Sequence, residues 1–313
     1  MGVREYSNIK KRPLLGQDNN ALVFLVAVNA LLFVILLFLQ LMYYISYDKK
    51  PEGDIFFQHQ ILDWFQVPAS LGTLSSRPWT VLTYMFTHID VAFFISNTLW
   101  LWCFGYILQD LAGNLKLIPI YLYGGVVGAI AYLAAVNLIP GLAAQINNVH
   151  PLIGSSAPLM AIAIATTALA PNYKLFPMLN GGIPLWVLTL IFVIFDFASV
   201  GRANAGTAIA HLAGGAMGFL FVTQLRRGRD WGQWMVNFVN WLDDLFNPEK
   251  KYQKQEEKDQ LFYKNTTEPF SKTPNVTQQR VDAILDKINQ EGYQMLTNEE
   301  KEFLKRASSE GGL

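Results

Sequence analysis

Long uncharged apolar stretches separated by short polar connections dominate the first two-thirds of this chain. The first runs from Asn20 to Ser46 without a charged residue. Five more follow, at roughly Val91–Gln109, Leu117–Ile139, Leu152–Ala170, Ile183–Val200 and Ala205–Leu225. Each approaches the ~20 residues that a helix needs to cross a hydrocarbon core. The pattern predicts an all-α membrane protein, with six spanning helices over residues 20–229. The first stretch exceeds a signal-peptide core of about 7–15 residues, and no A-x-A-like site follows it, so it is read as retained.

Past the sixth stretch the pattern changes. Trp231, Trp234, Phe238, Trp241 and Leu245 recur at helical spacing and give one aromatic face. Behind Arg226, Arg227 and Arg229, residues 230–247 read as a helix lying in the membrane interface, or as one packed on a partner. Residues 248–274 are polar and charge-rich, the composition of a disordered linker. Residues 275–313 read as a helical hairpin. Val281, Ile284, Leu285 and Ile288 line its first helix, which stops at Gly292, and Thr297 and Glu300 form a capping box opening its second.

Composition and charge fit this architecture. Hydrophobic residues make up 52% and charged ones 15%, against roughly 25% charged in soluble domains. The net charge is zero, so nothing points to a nucleic-acid partner. Cys103, the single cysteine, lies in an apolar run, which excludes a disulfide framework. Four scattered histidines without carboxylates at ligand spacing give no metal site and no HExxH motif. Arg4, Lys10, Lys11 and Arg12 in the N-terminal segment 1–19 precede the first span, and the arginine cluster follows the sixth. An even number of spans puts both clusters, and so both termini, in the cytoplasm, with 140–151 outside.

Polar residues inside such helices are costly and face a protein interior or a wet cavity. Ser156 and His211 lie within the first two turns of the fourth and sixth spans, both of which run inward. At 1.5 Å per residue they share a layer roughly 6–10 Å below the outer boundary. Asn97 enters the second span about as far, and Asp196 lies near the outer end of the fifth. A serine and a histidine at one depth are the residue types of a nucleophile and its base.

The two helices also look built to touch. Ala157, Ala161 and Ala165 line one, and Gly214 and Gly218 line the other on the face of His211. Gly124 and Gly128 in the third span read as helix packing. Pro158 predicts a helix starting there, with Gly154 allowing a sharp turn into it. Ser156 would then stand beside unpaired backbone N–H groups, able to hold an oxyanion. The same atoms would serve a helix-capping serine with no chemistry. Asp196 reads as an orienter of the base or, more simply, as a bundle ion pair.

The segments G154-S-S-A-P, A210-H-L-A-G-G-A-M-G and THIDVAFFISN, with RPWTVLTYMFTH before the second span, resemble the rhomboid intramembrane serine proteases from about Arg77 to Leu225. The resemblance implies a six-helix bundle whose polar site opens to the outer side, with a cytoplasmic helical tail. It implies a Ser156–His211 catalytic dyad, with Asn97, Gly154 and His88 in oxyanion or substrate-positioning roles and no cofactor. It also implies transmembrane protein substrates, residence in the lipid bilayer (a bacterial inner membrane), and a 47–87 loop resting partly in the outer leaflet. Two departures stand out. Phe93 occupies the place of the family's donor histidine four residues before the asparagine, and Ala157 follows the serine where glycine is usual. A rhomboid-like protein without activity that escorts membrane segments is the alternative. A small transporter is disfavoured, because no inverted repeat is evident.

Overall fold

The computed structural model describes residues 20–48, 51–175, 182–200, 205–246 and 278–310. The N-terminal segment 1–19 and the linker 248–274 of the sequence reading lie outside them. The chain divides into two compact units, Met1–Trp241 and Leu242–Leu313.

Helix α1 (Ala21–Ser46) begins at Asn20, whose side chain accepts the Leu22 and Val23 amides at 3.0 and 3.4 Å. It buries a single stripe, Leu22, Leu25, Asn29, Phe33 and Leu36, and leaves Phe24, Leu31, Val34, Phe38 and Leu41 exposed. An apolar face of that size suits lipid rather than water. The following stretch holds α2 (Pro51–Gln60), α3 (Leu71–Ser76) and α4 (Thr80–Thr83), with Ile55, Phe56, Trp64, Leu71 and Trp79 exposed along it. Then come α5 (Val91–Ala112), α6 (Leu117–Leu138), α7 (Pro140–Ala143), α8 (Ser156–Leu169), α9 (Leu185–Val200), α10 (Ala205–Arg226) and α11 (Gln233–Phe246). A two-residue antiparallel ladder, Lys174–Leu175 with Ile183–Pro184, precedes α9.

Four helices among the described residues are long and apolar enough to cross a membrane: α1, α5, the Asn114–Leu138 segment containing α6, and α10. The fourth and fifth expected spans are shorter apolar helices, α8 with 14 residues and α9 with 16. The reason for α8 is local. Residues 152–155 do not coil; Leu152 instead forms a β-bridge with Val67, through bonds of 2.9 and 3.0 Å. The helix therefore starts at Ser156, two residues before the start predicted from Pro158, which falls in the first turn where its missing N–H costs nothing.

Helix α8 is the core of the bundle, with α10, α6 and α5 packed around it, nine of its 14 residues buried and none exposed. Small residues make this possible. A Cβ on Gly214 would lie 2.4 Å from the Ala157 carbonyl oxygen, and one on Gly128 would lie 2.8 Å from the Ala157 methyl. Gly124 likewise faces Ala161. The guanidinium of Arg226 donates to the Ala168 and Leu169 carbonyls at 2.6 and 3.1 Å, closing the C-terminal end of α8.

In the second unit, the helix Gln278–Glu291 ends at Gly292 with φ +91°, whose amide bonds the Ile288 carbonyl at 2.9 Å. The capping box is formed: the Thr297 amide donates to Glu300 at 2.8 Å, and the Glu300 amide to Thr297 Oγ1 at 3.3 Å. Ile284, Leu296 and Phe303 make a small core between this helix and Asn298–Glu310.

Candidate functional site

The segment leading to Ser156 is held by backbone bonds and buried tyrosines. Beyond the Val67–Leu152 bridge, the Gly154 amide donates to the Tyr84 carbonyl at 3.0 Å. Tyr84 is fixed in turn by its hydroxyl on the Gly125 carbonyl at 2.7 Å, and Tyr132 donates to the His150 carbonyl at 2.7 Å. Gly154 has φ +97°, a conformation that glycine adopts without a Cβ penalty. The chain turns there, and Ser155 takes the N-cap position without a side-chain cap. Ser156 is thus the first helical residue, one position past the N-cap that the helix-capping reading assigned to it. The N–H groups of the first turn have no intrahelical partner.

Ser156, His211, Asn97, Gly154 and His88 all line one cavity of about 210 Å³. Five residues from four segments, 123 positions apart at the extremes, are brought to one place. Ser156 is half-buried, and Asn97 donates to its Oγ at 3.4 Å. A second cavity of about 400 Å³ shares Phe93, Asn97 and Ser156, and extends between Trp100 of α5 and Phe192, Phe195 and Asp196 of α9. Phe93, which replaces a donor histidine, lines both cavities and is half exposed.

His88 serves as a hub. Its Nε2 meets the Ser155 amide at 3.3 Å, Ser155 Oγ at 3.1 Å and Asn97 Nδ2 at 3.4 Å. The Ser155 amide and the Asn97 amide nitrogen can only donate, so Nε2 is the acceptor in these contacts. Burial pushes His88 down from 6.5 to about 4, the Phe86 carbonyl pulling less strongly the other way. It is therefore neutral at pH 7, and it holds Ser155 and Asn97 on either side of Ser156.

Asp196 was open between two readings in the sequence, and the structure pairs it with the candidate base. Its Oδ2 lies 2.6 Å from His211 Nδ1, both side chains being 5% exposed. His150 is exposed at the rim of the smaller cavity, and His59 bonds Asp63 at 3.1 Å away from it. No cluster of three or more metal-ligating side chains occurs among the described residues.

The departure at Ala157 has a structural counterpart. Its methyl faces Gly128, and no side chain on α6 competes for the space. The extra carbon relative to glycine is absorbed by packing, so the first turn of α8 keeps its helical form.

Residues 75–228 match the rhomboid domain, and 269–310 match a family of unknown function, DUF6576. The chain is 27% identical over 163 residues to RHOMBOID-like protein 12, mitochondrial, of Arabidopsis thaliana, covering 50% of this chain and 48% of that protein. The match thus spans about half the length of this curated relative. The apolar helices and the matched domain mark a membrane protein. As the motifs around Ser156 and His211 imply, the chain belongs to the rhomboid family.

Proposed function

We propose that this protein is an intramembrane serine endopeptidase, with Ser156 as nucleophile and His211 as its base. The observation that carries this reading is the shared cavity of Ser156, His211 and Asn97 at the N-terminus of a buried helix. The Ser156 hydroxyl attacks a peptide carbonyl, His211 takes its proton, and an acyl-enzyme forms. The oxyanion is met by Asn97 and by amides of the first turn of α8. The histidine returns the proton to the departing amine, and water then releases the acyl group.

The two cavities suit substrate and water respectively. The larger is walled by aromatic rings of α5 and α9 and suits an apolar segment arriving from the bilayer. The smaller is bordered by Asp90 and His150 and suits water. Polar, irregular backbone at membrane depth is tolerated where it lines such a cavity. In this reading α8 and α9 complete a six-helix bundle, α8 being short because it is enclosed by protein and opens on water at one end. The arginine clusters put both termini in the cytoplasm and the cavities on the opposite, outer side. The exposed aromatics of α11 rest at the membrane surface.

The test is labelling and cleavage in proteoliposomes with a serine-directed fluorophosphonate and a reporter transmembrane substrate. Wild type is expected to label and cleave, and Ser156→Ala to do neither while remaining folded. Equal labelling of Ser156→Ala would remove Ser156 from this role. A wild type inert in every lipid would favour a non-catalytic escort of membrane segments.

A further inference from the structure

We propose that Asp196 is a positioning residue for the base, so that this site works as a Ser156–His211–Asp196 triad rather than as a dyad. The inference rests on the serine-protease reading above. Its own observation is the 2.6 Å contact between Asp196 Oδ2 and His211 Nδ1, with both side chains 5% exposed.

Three features point to a working contact. A carboxylate buried at this depth is expensive and calls for a matched donor, which the imidazole supplies in a short, charge-assisted bond. The pair also stands at the site, since Asp196 lines the larger cavity, His211 the smaller and Ser156 both. Finally, the contact selects the tautomer. An ionised carboxylate only accepts, so Nδ1 carries the proton and Nε2 keeps the lone pair that a base needs.

The chemistry balances without altering the carboxylate. As Ser156 Oγ forms its bond to the carbonyl carbon, its proton passes to Nε2 and the carbonyl π pair moves onto oxygen. When the tetrahedral centre collapses, the C–N bond breaks and the Nε2 proton goes to the departing nitrogen. Asp196 remains ionised throughout, fixing the ring and stabilising the transient imidazolium.

The bland alternative is an ion pair that only ties α9 to α10. Wild type, Ser156→Ala, His211→Ala, Asp196→Asn and Asp196→Glu are compared in proteoliposomes for fluorophosphonate labelling rate, kcat, KM and thermal midpoint. Asp196→Asn keeps the size of the side chain but offers an amide to the ring. It is expected to lower kcat and labelling about 10-fold or more, because triad aspartates replaced by asparagine lose up to ~10⁴. KM and thermal midpoint stay near wild type, and Asp196→Glu recovers part of the rate. Wild-type kcat in Asp196→Asn, with Ser156→Ala and His211→Ala inactive, overturns the triad and leaves the dyad standing. So does a rate loss that tracks the thermal midpoint across the Asn and Glu variants. An inert wild type brings down both readings.

Discussion

A Cβ on Gly218 would stand 2.1 Å from the carbonyl oxygen of Ala161, so α10 and α8 meet backbone to backbone at this point. His211 lies two turns earlier on the same helix. The position of the candidate base is thus set by how closely α10 seats on α8.

Gly218→Ala should force the two helices apart, because the obstructing atom belongs to the backbone and cannot swing away. Overpacking of this kind costs about 1–3 kcal/mol. A lower thermal midpoint and slower fluorophosphonate labelling are expected together. Gly141→Ala is the control, since a Cβ there meets nothing within 4 Å. Unchanged stability and labelling in Gly218→Ala would mean that the helices can separate at no cost.

Asn97 donates to Ser156 Oγ at 3.4 Å, and Phe93 stands where the resemblance places a donor histidine. A donor that acts only on the developing charge affects turnover rather than binding. Asn97→Ala should lower kcat by about 10²-fold, near 3 kcal/mol, with KM little changed. Steady-state kinetics on a reporter substrate checks this, and an unaltered kcat would reduce Asn97 to a bundle hydrogen bond.

His88 predicts a pH signature. Its folded value is depressed to about 4 from an ordinary 6.5. Between those values the unfolded chain binds a proton that the folded protein refuses. The contribution of His88 to stability is therefore complete above about pH 6.5 and declines as the pH falls toward 4. Unfolding monitored across this range should show the decline in wild type and flatten it in His88→Gln. A slope unaffected by the substitution would assign the pH response elsewhere.

The second unit has its own acid sensitivity. Hydrogen bonds from the Thr297 amide and from Lys287 hold the Glu300 carboxyl below its usual range. A depressed carboxylate adds stability above its unfolded value and loses it as the pH falls through the folded one. Amide protection factors at residues 299–301, corrected for the intrinsic pH dependence of exchange, should fall in acid. Thr297→Ala should do the same at neutral pH, since losing such a cap costs about 1 kcal/mol.

Position along each helix was legible in the sequence where azimuth around it was not. Counting residues into each apolar stretch predicts a common level for Ser156, His211, Asn97 and Asp196, and the six stretches begin within two residues of the observed helices except at α8, which starts four residues later at Ser156. Which way a side chain points around its helix depends on packing, and that is where the reading stopped. Asp196 and His211 come from different helices, and only the seating of α9 beside α10 brings Oδ2 to Nδ1. The start of α8 was misread from Pro158 because proline tolerates any place in the first turn, and the competing β-bridge to Val67 has a partner 85 residues away. The capping box and Gly292 were readable because their chemistry is local.

The seating of α10 on α8 also has a meaning in time. The proposed nucleophile and base are separated by about 55 residues of chain, and synthesis proceeds at about 5–20 residues per second. For several seconds after Ser156 is made there is no His211 to activate it. If Ser156 and His211 act as proposed, the docking of the glycine face of α10 on α8 is itself the step that arms the serine.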